Sequence, residues 1–146
     1  MRFRYTFQKI VDLKTNEKTQ AEWVLSQAIV KLREEESSLD RLENAKQEMQ
    51  EELYKVSGTR TTVSNLMLLQ SFVDHIDVCI KDKHQDLSTA KTNVQIKQDD
   101  LTGKMLEEKV WTKAKEKAYQ KFSSGVLKIE QDQLDEMATS RYQRLS

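Results

Sequence analysis

The chain has 146 residues, no proline, three glycines and one cysteine, and its 24 basic side chains balance 24 acidic ones to a formal net charge of zero. Ala, Glu, Lys, Leu and Arg supply 60 residues, and 13 glutamines bring the total to half the chain, a composition of long helices or coiled coil. It argues against an all-β fold, whose hairpins need Gly, Pro and Asn-Gly punctuation, against an α/β nucleotide fold, for want of a glycine-rich strand-to-helix loop, and against general nucleic-acid binding by phosphate neutralisation.

The opening run Met1-Arg-Phe-Arg-Tyr-Thr-Phe7 has no apolar stretch of a secretory signal, and no apolar run approaches the roughly 20 residues of a membrane helix. A lone cysteine makes no internal disulfide, so a reducing cytosol is expected. A first helix is expected over about 6–57, with Thr6 as N-cap candidate and Gly58 at the C′ position that ends it. Its apolar residues are Phe3, Phe7, Ile10, then Ala21, Val24, Ala28, Leu32, then Leu39, Leu42, Met49, Leu53 and Val56. From Leu39 onward the 3-4 rhythm is regular, with only Lys46 polar; the steps of four at 24, 28 and 32 predict a stutter that unwinds a left-handed supercoil. A turn follows at about 58–64, with Ser64 or Asn65 as the next N-cap.

The second helix is expected over about 65–122. Positions 66, 69, 73, 76, 80, 83, 87, 90, 94, 97 and 101 read Leu, Leu, Val, Ile, Ile, Lys, Leu, Ala, Val, Lys, Leu, a strong coiled-coil signal. Glu51/Lys55, Asp77/Lys81 and Asp100/Lys104 are spaced for ion pairs on the outer face. A short turn between long helices makes them antiparallel. The first arm then pairs with residues up to about 120, so Lys121–Ser146 overhangs, with a weak point at Ser123–Gly125 before a helical extension over about 126–143. The expected fold is an all-α antiparallel two-helix coiled-coil hairpin, one domain over 1–146, its second helix longer and overhanging. Such a pair lacks the concavity of an enzyme pocket and suits the holding of partners.

His75 and His84 lie nine apart, where metal ligands on one helix face need three or four. Cys79 is read as having no nearby base or second cysteine, and no phosphate loop, HExxH or GxSxG motif occurs. A non-enzyme without metal or cofactor is expected. Phe72 and Cys79, one heptad apart beside the seam and near Met67 and Leu68, form an apolar strip that is either a widened seam or a docking strip. Lys109, Lys113, Lys115, Lys117 and Lys121 crowd together with Trp111, Tyr119 and Phe122 interleaved and Glu116 the lone acid. Antiparallel pairing sets them beside Arg2, Arg4, Lys9, Lys14 and Lys18, and Glu130, Asp132, Asp135 and Glu136 follow. This basic, aromatic end reads as a face for an acidic or loop-rich protein socket, with nucleic acid or plain solvation as alternatives.

The start Phe3-Arg-Tyr-Thr-Phe-Gln-Lys-Ile-Val-Asp-Leu-Lys14, with Glu17, resembles the opening of FliJ proteins, small components of the flagellar type III export apparatus. The run Leu106-Glu-Glu-Lys-Val-Trp-Thr-Lys-Ala-Lys-Glu-Lys-Ala-Tyr119 and the tail Leu134-Asp-Glu-Met-Ala138 are similar to that family too. The resemblance implies a central stalk that enters the ring of the hexameric export ATPase FliI, promotes its assembly and activity, and links it to the export gate protein FlhA. It also implies chaperone-like escort of other export chaperones or substrates. It implies ring contacts at Phe3, Phe7, Ile10, Leu13, Lys14, Lys109, Trp111, Lys115, Tyr119 and Phe122, with Asp135 and Glu136 in the tail. It places gate contacts at Leu42, Phe72, Ile76 and Cys79. A role in motility and chemotaxis, a cytoplasmic location at the inner face of the membrane at the flagellar base, no nucleic-acid partner and a monomer in isolation go with it. Ser123-Ser-Gly125 departs from the family's more continuously helical, charged stretch. A general holding chaperone and a self-associating structural coiled coil are the alternatives.

Overall fold

In the computed structural model, which describes residues 2–145, α1 spans Gln8–Ser57 and α2 spans Val63–Leu145, and no strand occurs among the described residues. The two helices pack antiparallel as an all-α hairpin whose second helix is the longer. The sequence reading puts the whole chain in one coiled-coil domain. Within it, the packing of the described residues falls into two compact units, 2–20 with 102–145, and Ala21–Leu101. A two-stranded coil makes only near-neighbour contacts along its length, so nothing gathers its residues around one centre.

Burial along α1 follows positions 11, 14, 18, 21, 25, 28, 32, 35, 39, 42, 46, 49, 53 and 56, an unbroken alternation of threes and fours in which every residue is buried or half-buried. The expected stutter is therefore absent. Leu25 is buried where Val24 is half-buried, and Glu35 holds a seam position that a purely apolar reading skips. Along α2 the same rhythm runs past Leu101 through 104, 108, 111, 115, 118 and 122, again all buried or half-buried. The polar seam residues Lys14, Lys18, Lys104, Glu108 and Lys115 had hidden this continuity.

The turn differs from expectation at both ends. Gly58 does not adopt the left-handed conformation; no positive-φ residue occurs among the described residues. α1 instead tightens into i→i+3 bonds, with Gly58 N–H donating to Lys55 O at 3.3 Å and Thr59 N–H to Val56 O at 3.1 Å. The Ser57 hydroxyl donates to Tyr54 O at 2.8 Å and that of Thr59 to Val56 O at 3.0 Å, satisfying the last carbonyls. The N-cap of α2 is Thr62, not Ser64 or Asn65: its Oγ1 accepts from Asn65 N–H at 3.2 Å. α2 then runs unbroken through Gly103 and through Ser123–Gly125, so the separate extension expected after residue 122 is part of one helix. At both glycines an added Cβ would meet nothing within 4 Å.

In the unit Ala21–Leu101, Ala21, Leu25 and Leu101 form a buried cluster joined by Ile29 and Val94, and Leu39, Val73, Leu87 and Ala90 are buried further along. Glu35 is buried among them, 7% exposed, with both oxygens engaged: Lys31 Nζ lies 2.8 Å from Oε1 and Lys83 Nζ 2.9 Å from Oε2. The hydrogen bond from Lys31, then that from Lys83, holds this carboxyl below the usual carboxylate range; the same bonds raise both lysines. The expected outer-face pairs are replaced. Asp77 meets Lys46 across the coil at 2.6 Å, Lys104 turns to Glu17 at 3.9 Å, and Glu51 accepts from Gln47 Nε2 at 3.4 Å.

Candidate functional site

The unit that holds residues 2–20 and 102–145 is built around aromatic side chains. Residues 2–5 are non-helical, and the chain enters α1 through Gln8 N–H to Tyr5 O at 3.1 Å and Val11 N–H to Phe7 O at 3.1 Å. That entry lays Phe3 edge-on to Tyr119, centroids 5.3 Å apart, and against Phe122, also at 5.3 Å. Phe7 stands 6.0 Å from Trp111 and 5.8 Å from Tyr5. Five of the expected ring-contact residues thus fall into two aromatic groups of the same unit, Phe3 with Tyr119 and Phe122, and Phe7 with Trp111 and Tyr5. Lys115 joins them, lining shallow depressions with Arg2, Arg4 and Tyr5 on one side and with Thr112, Glu116 and Gln120 on the other.

Ile10 is half-buried, while Leu13 and Lys109 are exposed and outside the aromatic contacts. Lys14 is drawn into the coil itself. Its Nζ lies 3.1 Å from Glu107 and 3.5 Å from Glu17, and the hydrogen bond to Glu107 raises the lysine and lowers the carboxyl. Lys18 pairs with Glu108 at 3.1 Å. Sequence reasoning missed Tyr5 and these acidic partners. The signal was available: Glu107 and Glu108 sit where antiparallel pairing sets them beside Lys14 and Lys18. By contrast Arg2, Arg4, Lys9, Lys109, Lys113, Lys117 and Lys121 are all exposed, and none takes part in an ion pair among the described residues. Seven exposed cations without an ion-pair partner among the described residues, in the unit that holds both aromatic groups, make a surface suited to acidic protein. In the tail, Asp135 and Glu136 are exposed.

In the other unit, Leu42 and Ile76 occupy seam positions and are half-buried, as is Cys79 on the flank, whereas Phe72 is 47% exposed. Met67 and Leu68 are more exposed still, so the strip is uncovered. Cys79 does have a base beside it: His75 Nε2 lies 3.7 Å from its Sγ, four residues back on the same face. The sequence reading did not pair Cys79 with His75, four residues before it. Among the described residues no group of three or more His, Cys, Asp or Glu is placed to hold a metal, and no helix is long and apolar enough to cross a membrane.

The model of the family described as flagellar FliJ protein matches residues 3–145. A flagellar FliJ protein of Bacillus subtilis is 23% identical over 142 residues, covering 97% of each chain. Among solved structures, a protein of Chlamydia trachomatis described as a YscO homolog superposes with a TM-score of 0.56 at 18% identity, covering 97% of this chain and 96% of that one. That likeness supports the two-helix fold.

Proposed function

The chain belongs to the flagellar FliJ protein family, and on that premise we propose that it is a non-enzymatic component of flagellar protein export that binds the hexameric export ATPase as a central stalk. The observation that carries this is the pair of aromatic groups, Phe3 with Tyr119 and Phe122 and Phe7 with Trp111, in the unit that also carries seven exposed cations without an ion-pair partner among the described residues. A convex, basic, aromatic end fits a central opening lined with acidic loops. Contact with several subunits at once stabilises the ring by mass action, since the stalk binds the assembled form and not its separated parts. A stalk whose two helices present different residues to different subunits biases their nucleotide states if it binds those states unequally. Lys14 adds to this face only its half-buried stem, because its charge is held by Glu107.

The uncovered strip of Met67, Leu68 and Phe72, beside Ile76, Cys79 and Leu42, supports a second contact, to the export gate. A protein that touches both then links them at the inner face of the membrane, with export chaperones or substrates as further partners. Hydrolysis by the purified export ATPase, titrated with this chain, tests the first contact. The rate and the hexamer fraction are expected to rise, Phe7→Ala with Lys115→Glu to remove most of the rise, and Phe72→Ala to leave it intact. Absence of any rise with the unaltered chain rejects the stalk.

A further inference from the structure

α2 carries a second heptad rhythm on the face turned away from α1. Positions 106, 110, 113, 117, 120, 124, 127, 131, 134 and 138 repeat the steps of three and four and read Leu, Val, Lys, Lys, Gln, Ser, Leu, Gln, Leu, Ala. Every one is exposed, and Leu106, Val110, Leu127 and Leu134 stand at 60%, 66%, 64% and 65%. Scattered apolar residues on a surface need no explanation, but large ones held in one heptad register are what a partner helix reads.

The chemistry of this stripe is self-complementary in one orientation. It is apolar at both ends, Leu106 and Val110 at one and Leu134 and Ala138 at the other, and polar between them except at Leu127. The charge beside it changes sign halfway. Lys109, Lys113, Lys117 and Lys121 precede the midpoint, where Glu107 and Glu108 are taken up by Lys14 and Lys18 of α1 and Glu116 is the remaining acid; Glu130, Asp132, Asp135 and Glu136, with Lys128 the one base among them, follow it. An antiparallel copy related by a two-fold axis level with Phe122 satisfies both patterns. Leu106 then meets Ala138, Val110 meets Leu134, Gln120 meets Ser124, and the stem of Lys117 lies on Leu127. The basic half of each copy runs along the acidic half of the other, twice per dimer. A parallel copy would set lysine against lysine.

We propose that this face of α2 is an isologous interface and that its occupant is a second copy of this chain. The contact is narrow and partly electrostatic, so it forms in the micromolar range and weakens with salt. It does not rest on the ATPase reading, and its test contains no ATPase.

Sedimentation equilibrium of the full chain at low salt is expected to show a monomer–dimer equilibrium that moves toward monomer at high salt. The double substitution Leu127→Gln, Leu134→Gln lies on exposed positions; it is expected to keep the helical circular dichroism of the parent and to weaken dimerisation roughly tenfold or more. Orientation is read by spin-label distances in a Cys79→Ser background. Labels at Lys121→Cys should lie about one interhelix spacing apart, near 10 Å, and labels at Ser140→Cys roughly 54 Å apart at the helical rise of 1.5 Å per residue. A monomer at every concentration, a dimer indifferent to the double substitution, or short distances at both sites would each overturn the proposal.

Discussion

In the unit Ala21–Leu101 the seam is sealed by Ala21, Leu25, Ala28, Leu39, Val73, Leu87, Ala90 and Leu101, all buried, while in the other unit Val11 alone among the described residues reaches that burial. The second seam is closed by half-buried Lys14, Lys18, Lys104 and Glu108 and by aromatic edges. The same heptad geometry is thus filled by two chemistries. Buried apolar residues give cohesion that is indifferent to salt; exposed ion pairs give little net stability and are screened. Local stability should follow, highest in the apolar seam and lowest where the proposed ring contact lies, which suits a surface that must adapt to several subunits.

The largest expected effect comes from the apolar seam. Leu25→Ala removes a member of the cluster with Ala21 and Leu101 and should cost about 2–4 kcal/mol in urea unfolding. Trp111→Ala, a larger truncation, should cost less, because its site is only half-buried; the reverse order would break the comparison. Glu35 sharpens it by pH. Its carboxyl is held below the usual range, so its contribution is complete above the ordinary carboxylate pKa and lost as pH falls through the folded value. The lysine contributions persist until pH rises through their raised values. Thermal melts should therefore show a plateau near neutrality, and Glu35→Gln should lower it while flattening the acid-side fall. An acid slope identical to the parent's would mean that Glu35 is not held as described.

Thr62→Ala should cost about 1 kcal/mol through loss of the cap on the amide of Asn65, whereas Ser64→Ala, at a position now inside the helix, should cost nothing of the kind. Gly103→Ala, in an open helical site, should gain about 1 kcal/mol in the same unfolding assay. Gly58→Ala should also gain, by about 0.5 kcal/mol, because the glycine keeps an ordinary φ and its added methyl would meet Lys55 O at a normal 3.6 Å. The smallest effect is expected from salt. Raising it should speed amide exchange over residues 8–20, where Lys14 and Lys18 are paired, and leave residues 25–42 unchanged.

The hairpin was legible because few residues interrupt a heptad and none is proline. Its continuity was less so. Glu35 falls on a seam position that looks like a gap when only apolar residues are followed, and Leu25 competes with Val24 for the seam one residue away; only packing decides between adjacent candidates. The turn misled for a related reason. Glycine after a helix suggests a left-handed cap, but hydroxyls at Ser57 and Thr59 satisfy the same carbonyls without one. At the candidate site, the aromatic residues were readable from their interleaving with lysine, whereas the fate of each charge was not. Lys14 is neutralised from α2 while Lys113 and Lys117 are left free, a difference set by which face of the helix meets an acid.

The division of labour between the two seams is tested most directly by amide exchange of this chain with and without the assembled export ATPase. The account predicts protection confined to residues 3–20 and 105–122, with residues 25–80 unchanged. Protection of residues 25–80 alone, with none in the aromatic and basic unit, would contradict it.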